Sequence, residues 1–97
     1  MFLPAVIAFN SAAESIQKEN RLQRMAFAMG LSSASDIGAA IKDMNARLGL
    51  PSGLAAMGVD ASLFDQIIVG AMADHCHKTN PRIATEAEYR EMLVQAL

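Results

Sequence analysis

One short run in this chain crowds reactive side chains together, Asp74-His75-Cys76-His77. It holds the only cysteine and both histidines of the 97 residues, so any thiol, imidazole or metal chemistry has to start there. Two imidazoles hold one ion only if both rings reach the same point. The apolar periodicity leading into the run predicts a helix, where successive residues turn by about 100° and His75 and His77 face nearly opposite ways. A shared metal is therefore not expected; two exposed imidazoles and a part-buried thiol are. Asp74 and Lys78, four apart, are expected to pair on the surface. At the end of such a helix Cys76 gains no activation, because the backbone dipole there disfavours a thiolate. Elsewhere there is no glycine-rich phosphate loop, no G-x-S-x-G and no H-E-x-x-H. Asp36, Asp43, Asp65 and Asp74 fall at scattered helical phases and form no converging acid pair. The residues alone point to no catalytic site.

The elements that must position this run read as helices throughout. Residues 2–9 form an apolar segment whose Pro4 suits a first helical turn. Ser11 and Glu14 have the spacing of a capping box. From about Glu19 to Met29, Leu22, Met25, Ala26 and Met29 make one face, closed by Gly30-Leu31. Ile37, Ile41, Met44 and Leu48 form the next stripe, between Ser33/Asp36 and Gly49-Leu50-Pro51. Gly38, inside that stripe, suggests a close helix approach. Residues 53–57 read as one extra turn closed by Gly58. Asp60 is a good cap for a long helix over 61–77 with a wide face of Leu63, Phe64, Ile67, Ile68, Ala71 and Met72, stopped at Asn80-Pro81. Thr85 and Glu88 repeat the capping-box spacing before Tyr89, Met92, Leu93 and Ala96. No period-2 strand pattern occurs. The expectation is an all-α chain of about five helices packed in an antiparallel, bundle-like way, one helical domain over residues 1–97.

Composition narrows the class further. Ten acids against eight Lys/Arg give a net charge of −2, without the basic cluster that nucleic acid requires. No apolar run is long enough to span a bilayer. The apolar opening MFLPAVIAF lacks a basic start and is interrupted by Pro4, so it does not read as a signal peptide. A single cysteine fits a reducing cytoplasm. Hydrophobic residues reach 53% at a mean hydropathy of +0.24. A body this small would expose roughly 5,400 Å² when folded, and so apolar a composition implies faces covered from outside the chain. The methionine-bearing positions Met25, Met29, Met44, Met72 and Met92 all lie on the apolar stripes and are expected in the core or in a subunit contact.

Three stretches carry a resemblance, in order: MFLPAVIAFN, IKDMNARLGLPSGLAAMGVD and AMADHCHKTNPRIATEAEYREML. They resemble the C-terminal part of the iron-dependent (group III) alcohol dehydrogenases. The matching positions are Leu3-Pro4, Asn10, Leu48 to Pro51, Leu54, Gly58-Val59, Asp74 and Asn80-Pro81-Arg82. The resemblance implies an all-helical portion of a larger chain whose N-terminal part binds NAD(P) and whose divalent metal, usually iron, is held by one Asp and three His ahead of the region seen here. It implies no catalytic, cofactor-binding or metal-ligating residue in this chain, and no activity for it alone. Cys76 aligns with a position that in some relatives lines the substrate and nicotinamide pocket, so it is the one candidate pocket-wall residue. The parent activity implied is the interconversion of alcohols with aldehydes or ketones, and the expected partner is the missing dehydrogenase portion or a second copy. The competing reading is an independent helical module for protein–protein interaction.

Overall fold

The computed structural model describes residues 1–97 as helices and turns without strands. Seven α-helices follow one another: α1 Leu3–Asn10, α2 Glu14–Lys18, α3 Arg21–Ala28, α4 Ile37–Arg47, α5 Phe64–Ala73, α6 His75–Thr79 and α7 Glu86–Gln95. Single 3-10 turns at Ala34–Asp36 and Ala61–Leu63 lead into α4 and α5, and a third, Ala55–Met57, stands alone. None of the helices is long and apolar enough to cross a membrane.

The all-α expectation holds, and the helix count rises because the helix expected over 61–77 is interrupted at Asp74 and a short α2 precedes the helix expected from about Glu19. Asn20 takes a left-handed conformation, φ 52°, which asparagine tolerates better than most residues, and it separates α2 from α3. Asp74 is extended and separates α5 from α6. The Ser11/Glu14 box does not form: Ser11 stays helical and donates its hydroxyl to the Ala8 carbonyl at 2.6 Å. The N-cap of α2 is Ala13, which offers no side-chain bond.

Local signals succeed where a cap is made within a few residues. Thr85 Oγ1 accepts the Glu88 N–H at 3.3 Å while Glu88 Oε2 accepts the Thr85 N–H at 2.8 Å, a complete capping box on α7. Gly30 ends α3 at φ +76°, and the Leu31 N–H reaches back to the Ala26 carbonyl at 2.8 Å, as a Schellman stop requires. Gly49 ends α4 in the same way, with Leu50 N–H on Asn45 O at 3.0 Å.

Packing divides into two small cores. Ala26, Ile37 and Ile41 join α3 to α4, with Ile7 of α1 against them. Leu54, Phe64, Ile68, Leu93 and Ala96 join α5 to α7. A Cβ on Gly38 would stand 3.9 Å from Pro4 Cβ, an ordinary contact, so α1 and α4 meet there without needing glycine. Gly53 is the position that does. A Cβ there would come within 2.6 Å of the Leu97 carbonyl oxygen and 2.8 Å of that of Ala96. The close approach lets Leu54 N–H and Ala55 N–H cap the end of α7, at 2.7 Å to Ala96 O and 3.2 Å to Leu97 O.

Several stripe residues stay outside these cores. Met25, Met29, Met44 and Leu48 are exposed, so of the two places expected for the methionine positions, core or subunit contact, these lie outside the core. Met1 and Met72 pack against a core cluster, and Met92 lines the groove described below. The accessible surface is 6471 Å², about a fifth above the roughly 5,400 Å² expected at this mass. The radius of gyration, 14.4 Å, likewise exceeds the ~13 Å of a closed 100-residue domain. At 18 Å in its thinnest dimension the body has room for no more than two layers of helices, each about 10 Å across.

Candidate functional site

The interruption at Asp74 determines how the reactive run is displayed. With φ −69° and ψ 141°, Asp74 turns the chain, and its Oδ1 accepts the Cys76 N–H at 2.7 Å. The single helix expected over 61–77 is therefore two, and Cys76 lies at the start of α6 rather than at a helix end. The expected Asp74–Lys78 pair is absent; His75 Nδ1 stands 3.6 Å from Asp74 Oδ1. His75 Nε2 lies 3.4 Å from Cys76 Sγ. The bonds from Cys76, from its backbone first, hold the Asp74 carboxyl below the usual carboxylate range. The hydrogen bond to Asp74, followed by desolvation and by the carboxylate's charge, raises the Cys76 thiol above its ordinary value. The thiol is thus disfavoured as an anion, as expected, but through Asp74 and not through a helix end. Cys76 is exposed and His77 half-buried, which corrects the expectation of a part-buried thiol between two exposed imidazoles.

His77 is directed elsewhere. Its Nδ1 is 3.0 Å from the Tyr89 hydroxyl, with the rings 5.8 Å apart. This pair forms one end of an open groove of about 540 Å³. It is lined by Phe2, Val6 and Phe9 of the α1 region, Ile67, Ile68 and Ala71 of α5, and Met92 and Leu93 of α7. Asp74, Cys76, His77 and Asn80 supply its polar margin. A mostly apolar concavity with a few polar groups at one end has the character of a ligand or docking site.

The Asn10 and Asn80-Pro81-Arg82 positions hold this groove's shape. Asn10 and Asn80 exchange amide hydrogen bonds, 3.1 Å from Asn10 Nδ2 to Asn80 Oδ1 and 2.7 Å in return. Arg82 donates to the Phe9 carbonyl at 3.2 Å and lies over the Phe9 ring at 4.0 Å. Its other arm pairs with Glu88, the residue that completes the α7 cap. Glu88 is held below its ordinary value by the Thr85 hydrogen bonds first and the Arg82 charge after them. Through this chain of contacts the end of α1 is tied to the start of α7. The sequence singles out Cys76 alone; Tyr89 and Asn80 read there as a core position and a helix stop, and only their meeting in space reveals them as groove residues.

The residues present do not fit the iron implied by the resemblance. The site the resemblance implies uses three histidines with an aspartate; the chain has two histidines, of which only His75 gathers with a carboxylate.

With this geometry in view, comparison with known proteins gives a consistent result. The family model for the C-terminal region of the Fe-containing alcohol dehydrogenase family matches residues 1–97. The chain is 48% identical over 95 residues to a 4-hydroxybutyrate dehydrogenase of Cupriavidus necator, covering 98% of this chain and 25% of that protein. It is 33% identical over 103 aligned positions to an NAD-dependent methanol dehydrogenase of Bacillus methanolicus, covering 98% of this chain and 26% of that one. The chain thus spans about a quarter of the length of the curated relatives it matches. No solved structure matches it at a significant level. The chain belongs to the Fe-containing alcohol dehydrogenase family, of which it represents the C-terminal region.

Proposed function

We propose that this chain supplies the helical wall of a nicotinamide-dependent dehydrogenase acting on a short alcohol or hydroxy acid, and that it has no turnover alone. The observation that carries this reading is the open groove between α1, α5 and α7, mostly apolar in its lining and polar at its Cys76/His77/Tyr89 end. A short aliphatic substrate needs such a surface on one side, because apolar walls exclude water from the reacting carbon. A metal and a nicotinamide held by another portion of such an enzyme would supply the Lewis acid and the hydride acceptor. The chain's own residues contribute shape. Cys76 forms the rim beside the reacting end, His77 and Tyr89 offer polar contacts, and the Asn10–Asn80–Arg82 ties keep α1 at the spacing that defines the groove width.

The 4-hydroxybutyrate relative favours a short hydroxy acid over methanol as substrate, on its higher identity. The exposed apolar residues Met25, Phe27, Met29, Leu48 and Val69 are then covered by the remaining dehydrogenase portion or by a second copy in a cytoplasmic oligomer.

Split complementation tests the reading. The Cupriavidus necator relative, truncated to lack the matching quarter, is co-expressed with this chain and assayed for NAD-linked oxidation of 4-hydroxybutyrate. Restored turnover, with neither piece active alone, is expected. Activity of this chain alone would overturn the proposed division of labour, and a stable fold that binds no dehydrogenase portion would favour the independent interaction module.

A further inference from the structure

We infer that Asp74, His75 and Cys76 form a site for a borderline divalent cation such as zinc or cobalt at the rim of the groove. The inference rests on the side chains of this run and does not depend on the dehydrogenase reading above. A carboxylate, an imidazole and a thiol each present one ligand atom here, and the three atoms lie within 4.8 Å of one another. Bond lengths of about 2.0–2.3 Å to oxygen, nitrogen and sulfur place tetrahedral ligands roughly 3.3–3.8 Å apart. The Cys76 Sγ to His75 Nε2 separation, 3.4 Å, already satisfies that spacing. His75 is 89% exposed, so its ring can rotate the remaining distance without disturbing packing.

The backbone explains why three consecutive residues converge at all. In a continuous helix they would splay by about 100° each. The extended Asp74 folds its carboxylate back onto the Cys76 N–H at 2.7 Å, which brings it to the thiol side. His77 takes no part, since it lies outside the set of ligand atoms that converge and its ring turns toward Tyr89. The donor set also selects the ion. One sulfur, one nitrogen and one oxygen suit zinc or cobalt, whereas magnesium and calcium need several oxygens. Three protein ligands leave a fourth position for water or an incoming ligand. Asp74 and Cys76 also line the groove, so a bound ion would stand at its edge.

Titration of the reduced, metal-free chain with cobalt(II) tests this directly. One equivalent should produce a thiolate-to-cobalt charge-transfer band together with tetrahedral visible bands, and zinc should displace it. Saturating zinc should slow alkylation of Cys76 by about tenfold or more, while magnesium leaves it unchanged. Cys76→Ser and His75→Ala should each weaken binding at least about tenfold, about 1.4 kcal/mol, and His77→Gln should leave affinity within about twofold. If Cys76→Ser fails to fold, wild-type protein alkylated at Cys76 in its native state takes its place and should lose the band. Absence of the charge-transfer band at millimolar cobalt, equal protection by magnesium, or a loss in His77→Gln as large as in His75→Ala would overturn the assignment.

Discussion

The two cores of this chain are closed by different means. Around Phe64, Ile68 and Leu93 the apolar residues are sealed by polar backbone work: Gly53 admits the end of α7, Leu54 and Ala55 cap it, and Arg82 and Glu88 secure its start. Around Ala26, Ile37 and Ile41 three residues are buried, and the same helices leave Met25, Phe27, Met29, Met44 and Leu48 to solvent. The α5/α7 core is secured at both ends of α7, although Val69, Val94 and the open groove stay uncovered beside it, whereas the α3/α4 half resembles one face of a contact. An apolar stripe fulfilled only along part of its length shows which end of a helix the chain itself can cover.

The sharpest way to break this contrast is Phe64→Ala. Phe64 is 2% exposed, and its truncation should cost about 3–5 kcal/mol, enough to unfold much of a marginal domain in a denaturant melt. Gly53→Ala should cost roughly 1–3 kcal/mol, because its Cβ meets the Leu97 and Ala96 carbonyl oxygens rather than a yielding side chain. Its mark would be hydrogen exchange accelerated at Leu54 and Ala55 and at the end of α7, with α3 and α4 little changed. Thr85→Ala should cost about 1 kcal/mol by removing one half of the α7 capping box.

These sites also show what a single sequence discloses. The Thr85/Glu88 box, the Gly30 and Gly49 stops and the Pro4 start are legible because each is completed within one turn of chain. Ser11/Glu14 has the same spacing as Thr85/Glu88 and fails, because Ser11 remains in the helical region and spends its hydroxyl on Ala8. Gly53 is silent in sequence because its partners lie at the far end of the chain. Asp74 reads as a polar position on a continuing helix, so the break that gathers Asp74, His75 and Cys76 is invisible until the backbone is seen. The Asn10–Asn80 exchange shows only as an ordered resemblance, and the structure supplies its physical reason.

A pH series sharpens the comparison more gently. Glu88 titrates below its ordinary 4.5 when folded, so the ionised form is the one that stabilises α7. That contribution is fully present above about pH 4.5 and is lost as pH falls through the lower folded value. Glu88→Gln should flatten this acid limb of the stability curve, read by helical circular dichroism. The smallest effect belongs to the other half: Met29→Ser or Leu48→Ser should change monomer stability by no more than about 0.5 kcal/mol, while reducing any self-association seen by sedimentation.

The account's central claim is that the open groove and the exposed apolar face are completed by another part of a dehydrogenase. Alkylation of Cys76, measured under native conditions with and without the separately expressed cofactor-bearing portion of the Cupriavidus necator relative, tests it most directly. The chain alone should label far faster than it globally unfolds, since Cys76 is exposed, and addition of that portion should slow labelling markedly as the groove is covered. Labelling no faster than unfolding in the chain alone, or an unchanged rate in the presence of the other portion, would contradict the account.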